Sequence, residues 1–184
     1  MGQIILVTGG VRSGKSAFAE RYAAHCAAQS GTRVAYIATA QVYDAEMRQR
    51  VDLHQTRRPA DWTTYEAPFD TEDAIRAAGA SHGVLLFDCI TMFLSNDMLQ
   101  YPEEEQERDS FVLHVEERIG ALVQAAQEVE ATTIFVTNEV GAGIVPENHL
   151  ARIYRDLSGS VNQQLACASD EVYAVICGIP MQLK

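Results

Sequence analysis

Residues 9–16 read Gly9-Gly10-Val11-Arg12-Ser13-Gly14-Lys15-Ser16, a G-x-x-x-x-G-K-S loop preceded by the apolar run Ile4–Thr8. A loop of this kind constrains the fold strongly, because it works only between a buried strand and the start of a helix. There the glycines let successive backbone N–H groups converge on phosphate oxygens at the positive end of the helix. The context agrees: after Ser16 the residues Phe18, Ala19, Tyr22, Ala23 and Cys26 recur at helical spacing through Ala28. The loop therefore predicts a nucleotide-binding α/β chain, with Lys15 reaching the β- and γ-phosphates and the Ser16 hydroxyl holding Mg²⁺.

Beyond the loop, apolar strand-like runs alternate with helical patterns. Strands are expected at Arg33–Thr39, Thr63–Glu66, Gly83–Cys89, Thr132–Thr137 and Glu171–Cys177, and a short ending at Pro180–Leu183. Helices are expected at Asp44–Gln55, Asp70–Ala78, Ile90–Leu99 and Asn148–Ala168. A long helix opened by Pro102 has an acidic, solvated first turn, and Phe111, Val115, Ile119, Leu122, Ala126 and Val129 form one stripe. Near-continuous apolar strands separated by helices indicate a mostly parallel sheet covered on both faces. No linker or repeat divides the 184 residues, so a single domain over 1–184 is expected.

The net charge of −11 argues against a nucleic-acid surface. No apolar stretch approaches a membrane span, and the N-terminus enters a strand at once, so neither an anchor nor a signal peptide is expected. The cysteines Cys26, Cys89, Cys167 and Cys177 lie far apart in apolar contexts. They read as reduced core residues of a cytoplasmic protein. Lysine occurs only at Lys15 and Lys184, whereas Arg48, Arg50, Arg57 and Arg58 cluster within a short stretch. Guanidinium groups suit bidentate phosphate contacts.

Three regions carry chemistry besides the loop. Asp88 ends the apolar run Leu85-Leu86-Phe87, as a carboxylate positioning Mg²⁺ partly through water must, although an ordinary helix cap reads the same way. Arg50, His54 and Arg58 recur at four-residue intervals. A neutral imidazole among guanidiniums is poised to attack phosphorus, and a surface histidine on an arginine-rich helix satisfies the same spacing. His25, His82, His114 and His149 stand isolated. The third region, Val136-Thr137-Asn138-Glu139-Val140-Gly141 through Gly143-Ile144-Val145-Pro146, is a shaped loop after a buried strand, where open α/β sheets bind ligands. The base-reading Asn-Lys-x-Asp motif of regulatory GTPases is absent from the sequence.

Taken together, these blocks resemble the bifunctional adenosylcobinamide kinase/adenosylcobinamide-phosphate guanylyltransferases of cobalamin assembly. The resemblance rests on Thr8–Ser16, Tyr36-Ile37-Ala38-Thr39-Ala40, Glu46-Met47 leading to His54, and Arg57-Arg58-Pro59 with Trp62. It continues through Asp88-Cys89-Ile90-Thr91 and the distinctive stretch Thr137–Asn148, then Ala151-Arg152, Arg155-Asp156 and Asn162-Gln163. It implies a RecA-like P-loop NTPase fold and trimeric assembly. It also implies two reactions: ATP or GTP phosphorylates adenosylcobinamide, then GTP gives GMP to the adenosylcobinamide phosphate through a guanylyl-histidine, for which His54 is the match. Lys15 and His54 are the catalytic residues implied. Nucleotide contacts are implied for Gly9–Ser16, for Ala38, Thr39 and Ala40, for Gln55, Thr56, Arg57 and Arg58, and for Glu66 and Asp88, with Ser16 and Asp88 on Mg²⁺. Two other readings remain at this point: a small-molecule kinase without nucleotidyl transfer, and a nucleotide-switch or ATPase module that acts through a protein partner.

Overall fold

The computed structural model describes residues 2–41, 59–106 and 109–184. In chain order the described elements are β1 (Ile4–Thr8), α1 (Lys15–Ser30), β2 (Val34–Ala38), β3 (Thr63–Glu66), α2 (Thr71–Gly79), β4 (Val84–Asp88) and α3 (Ile90–Met98). They continue with α4 (Glu103–Gln106), α5 (Asp109–Glu128), β5 (Thr132–Val136), α6 (His149–Ala168), β6 (Glu171–Ile176) and β7 (Ile179–Gln182). The helix expected at Asp44–Gln55 lies outside the described residues.

The strands form one sheet in the order β3-β2-β4-β5-β1-β6-β7, parallel except for the last pair. The apolar runs are continuous because both faces are covered, and alternate residues of each strand serve opposite layers. Ile4 and Leu6 pack with Leu85, Phe87 and Phe135 against α2, α3, α5 and α6. Ile5 and Val7 pack with Leu86, Ile134 and Val136 against Phe18, Ala19, Ala23 and Ala27 of α1. The stripe expected on α5 is buried at Phe111, Val115, Ile119, Leu122 and Ala126. Glu103, Glu104 and Glu105 form the exposed acidic turn of α4.

Two expectations are corrected. The chain end is not merely a short tail, because β7 pairs antiparallel with β6 through a turn in which Cys177 (φ 52°) and Gly178 (φ 80°) are both left-handed. A pair of left-handed residues gives the turn a twist that matches its strands. Nor are all four cysteines in the core. All are free thiols; Cys89 is buried and Cys26 half-buried, but Cys167 and Cys177 are exposed, one on the outer face of α6 and the other at the hairpin tip.

Candidate nucleotide site

Among the described residues, the candidate side chains of the phosphate loop, of Ala38–Ala40 and of Asp88 lie at the carboxyl ends of β1, β2 and β4, with the loop after β5 beside them, the edge at which open α/β sheets take ligands. After β1 the chain curls tightly. Ser13 N–H donates to Gly10 O at 3.2 Å, Arg12 is left-handed at φ 56°, and Gly14 at φ 94° caps α1 without any side-chain bond. The first N–H groups of α1 are thus left for an anion. Two glycines are sterically required. A Cβ on Gly9 would stand 2.6 Å from both Val175 O and Ser13 Oγ, and one on Gly14 would stand 3.0 Å from Gly178 Cα. The hairpin turn braces the loop directly, since Gly178 N–H donates to Ser13 O at 2.8 Å. Nothing in the sequence pattern joined these two segments.

Lys15 is buried, and its ammonium donates to Gly10 O at 3.1 Å. Burial pushes its pKa below the usual lysine value, and the neighbouring Cys89 and Asp88 partly offset that shift. The amine is held inside the loop by a single carbonyl, so an arriving phosphate gives it a stronger, charge-assisted partner. Val11 and Gly10 form the exposed tip, and Ser16 is half-buried in the first turn of α1. The buried hydroxyls of Thr8 and Ser13 have no hydrogen-bond partner among the described residues.

Asp88 ends β4, half-buried, and its Oδ2 accepts from the Tyr36 hydroxyl at 2.7 Å. Tyr36 lay within a block quoted for its resemblance, but its role needed the β2–β4 register, which sets Tyr36 against Leu86. Thr39 is fully buried; its Oγ1 accepts from Cys89 N–H at 2.8 Å and donates to Cys89 O at 2.9 Å. Its N–H donates to Asp88 O at 3.3 Å and its carbonyl accepts from Asn96 Nδ2 at 2.8 Å. With every polar group engaged, Thr39 is a pin that fixes the end of β4. Ala38 is buried, Ala40 is half-buried, and Glu66 stands exposed at the end of β3.

The loop after β5 is tied to the same edge. Glu139 N–H donates to Gly9 O at 3.1 Å, and Asn138 Nδ2 donates to Thr91 Oγ1 at 2.8 Å. Asn162 accepts from Thr137 Oγ1 at 2.7 Å and donates to Asn138 O at 3.2 Å. Arg155 donates to Gly141 O, and Arg152 to the carbonyls of Pro146 and Glu147. These two arginines hold loop backbone, a role that the sequence motif did not disclose. Thr91 Oγ1 also lies 3.0 Å from the Cys89 thiol, whose pKa burial raises to about 11. His54, Gln55, Thr56, Arg57 and Arg58 lie outside the described residues.

The comparisons agree in direction. A family model described as cobinamide kinase / cobinamide phosphate guanyltransferase matches residues 5–183. The bifunctional adenosylcobalamin biosynthesis protein CobU of Escherichia coli K12 is 40% identical over 185 residues, spanning 98% of this chain and 99% of that protein. The bifunctional adenosylcobalamin biosynthesis protein CobP of Pseudomonas aeruginosa is 40% identical over 179 residues, spanning 97% and 96%. Among solved structures, a KaiC-like protein from Pyrococcus horikoshii aligns with a TM-score of 0.51 at 17% identity, covering 94% of this chain and 70% of that one. That likeness shows the α/β fold alone.

Proposed function

The chain belongs to the cobinamide kinase / cobinamide phosphate guanyltransferase family, and from that premise we propose how its residues divide the two reactions between them. The observation that carries the proposal is the phosphate loop with Lys15 buried inside it, beside the braced carboxylate of Asp88. In the kinase step the loop N–H groups and Lys15 hold the triphosphate of ATP or GTP. The aminopropanol hydroxyl of adenosylcobinamide attacks the γ-phosphorus, the bond to the β-phosphate oxygen breaks, and the hydroxyl proton departs to solvent. In the second step His54 attacks the α-phosphorus of GTP and pyrophosphate leaves. A phosphate oxygen of adenosylcobinamide phosphate then displaces the imidazole, giving adenosylcobinamide-GDP and restoring His54.

Gln55, Thr56, Arg57 and Arg58, beside His54 in sequence, and Glu66, at the end of β3, supply nucleotide contacts in this reading, with the two arginines on phosphate. Among the described residues no group of three or more His, Cys, Asp or Glu side chains could hold a metal ion by itself. Ser16 and Asp88 offer two hard oxygen donors, a set that suits Mg²⁺ arriving with nucleotide and keeping several waters. Bound there, Mg²⁺ supplies charge neutralisation on the phosphate oxygens. No described helix is long and apolar enough to cross a membrane. Trimeric assembly, implied by the resemblance, is checked by light scattering.

The deciding experiment uses α-labelled GTP. The protein acquires an acid-labile, base-stable label that maps to His54. His54→Ala loses guanylyl transfer and keeps most kinase activity, whereas Lys15→Ala loses both. A protein with kinase activity but no label refutes the transferase mechanism and leaves a phosphate-loop kinase.

A further inference from the structure

A second cavity, of about 540 Å³, opens between α2, α3 and α5, and the nucleotide chemistry makes no use of it. Its walls include Phe69, Phe93 and Tyr101, with Asp97, His114 and Arg118 as the principal polar groups. Asp97 is nearly buried; its Oδ2 lies 2.9 Å from His114 Nε2, which is 3.3 Å from the Tyr101 hydroxyl. Arg118 pairs with Glu72 at 2.9 Å and lies 5.4 Å over the Phe93 ring. The network does not close on itself. Arg118 Nε is buried without a hydrogen bond, 3.7 Å from Asp97 Oδ1, too long for one. Asp97 Oδ1 therefore keeps acceptor capacity at the cavity wall.

The charge balance selects among ligands. Asp70, Glu72, Asp73 and Asp97 line the cavity against two guanidiniums, Arg76 and Arg118. A polyanionic nucleotide is repelled, and a ligand rich in neutral N–H donors or carrying positive charge is favoured. Position adds to this. Asn96, next to Asp97 on α3, donates to Thr39 O at 2.8 Å, and Thr39 clasps the residue after Asp88. From Cys89 to Asp97 the helix advances about 12 Å, so Asp97 stands about two turns along α3 from the residue that follows Asp88.

We propose that this cavity receives a carboxamide-bearing edge of the corrinoid substrate, with Asp97 Oδ1 accepting an amide N–H. The inference rests on the function proposed above. Of its reactants only the corrinoid meets the requirement: adenosylcobinamide is cationic at cobalt and bears several primary carboxamides, and Phe69, at the mouth, offers apolar contact to the macrocycle.

Two variants test it. Asp97→Asn removes the charge while keeping the shape, and Ala121→Leu narrows the cavity from α5 without removing a polar group. In each, KM for adenosylcobinamide rises about tenfold, through loss of charge assistance to the hydrogen bond in Asp97→Asn and through lost room in Ala121→Leu. KM for GTP and kcat stay near those of the parent protein in both, and Ala121→Leu, which breaks no ion pair, also keeps its melting temperature. The inference is overturned if KM for the corrinoid stays within twofold in both variants. It is equally overturned if KM for GTP rises in parallel, or if only the melting temperature or oligomeric state changes. A parent protein that never phosphorylates cobinamide refutes the proposed activity instead. Equilibrium dialysis of cobinamide without nucleotide then still decides the cavity, since bound corrinoid must be lost in both variants.

Discussion

Replacing Thr39 by valine removes one hydroxyl and almost nothing else, so the cost follows from the bonds around it. Cys89 N–H, which donates to Thr39 Oγ1 at 2.8 Å, becomes a buried donor without an acceptor. Orphaning such a group costs about 1–3 kcal/mol. Losing the second bond, to Cys89 O, costs less, because that carbonyl still accepts from Phe93 N–H at 3.1 Å. The added methyl returns about 0.8 kcal/mol. With about 0.5–1 kcal/mol for that second bond, the net destabilisation is about 1–3 kcal/mol, and in a chain of this size each kcal/mol lowers Tm by about 2–4 °C, for a fall of about 2–12 °C. Differential scanning calorimetry measures it, with Thr39→Ser as the control that keeps both bonds and loses only a methyl. Because Thr39 fixes the end of β4, kcat/KM for kinase and transferase falls together in Thr39→Val. If valine melts within 1 °C of the parent protein, or serine is as damaging as valine, the pin does not exist.

Three further outcomes follow from named contacts. Gly9→Ala forces a Cβ to within 2.6 Å of Val175 O, so isothermal titration shows GTP affinity weakened at least about tenfold, worth about 1.4 kcal/mol. The Cys89 thiol, raised from 9.0 to about 11, gives a folded state that keeps its proton after the unfolded chain has released it. Its contribution is full below pH 9 and is lost as pH rises toward 11, so urea titrations of Cys89→Ala show a shallower alkaline decline than those of the parent protein. At pH 8 a maleimide labels the exposed Cys167 and Cys177 and spares Cys89, as peptide mapping detects.

The phosphate loop and the central strands were legible because each depends on local pattern: glycine spacing, and apolar runs long enough to bury both faces. The features that eluded the sequence depend on partners far away in the chain. The family pattern marks Thr39 among the nucleotide contacts without saying what else it does, and only the β2–β4 register shows that its polar groups meet Cys89 and Asn96. His114 looked isolated, since its partner Asp97 lies on another helix. The β6–β7 turn gave no warning, because cysteine at the first turn position is not among the asparagine, aspartate and glycine residues that announce one. Arg152 and Arg155 belonged to the family pattern without a stated role, and the fold shows that they grip carbonyls.

The bond from Gly178 N–H to Ser13 O also orders events in time. Synthesis delivers the phosphate loop well before its brace, which lies far along the chain from it. Until β6 lies beside β1 and the hairpin turns, Gly14 faces no Gly178 and the loop has no outer wall. A chain still emerging from the ribosome thus holds the motif before it holds the braced loop, which forms once β6 and β7 have paired.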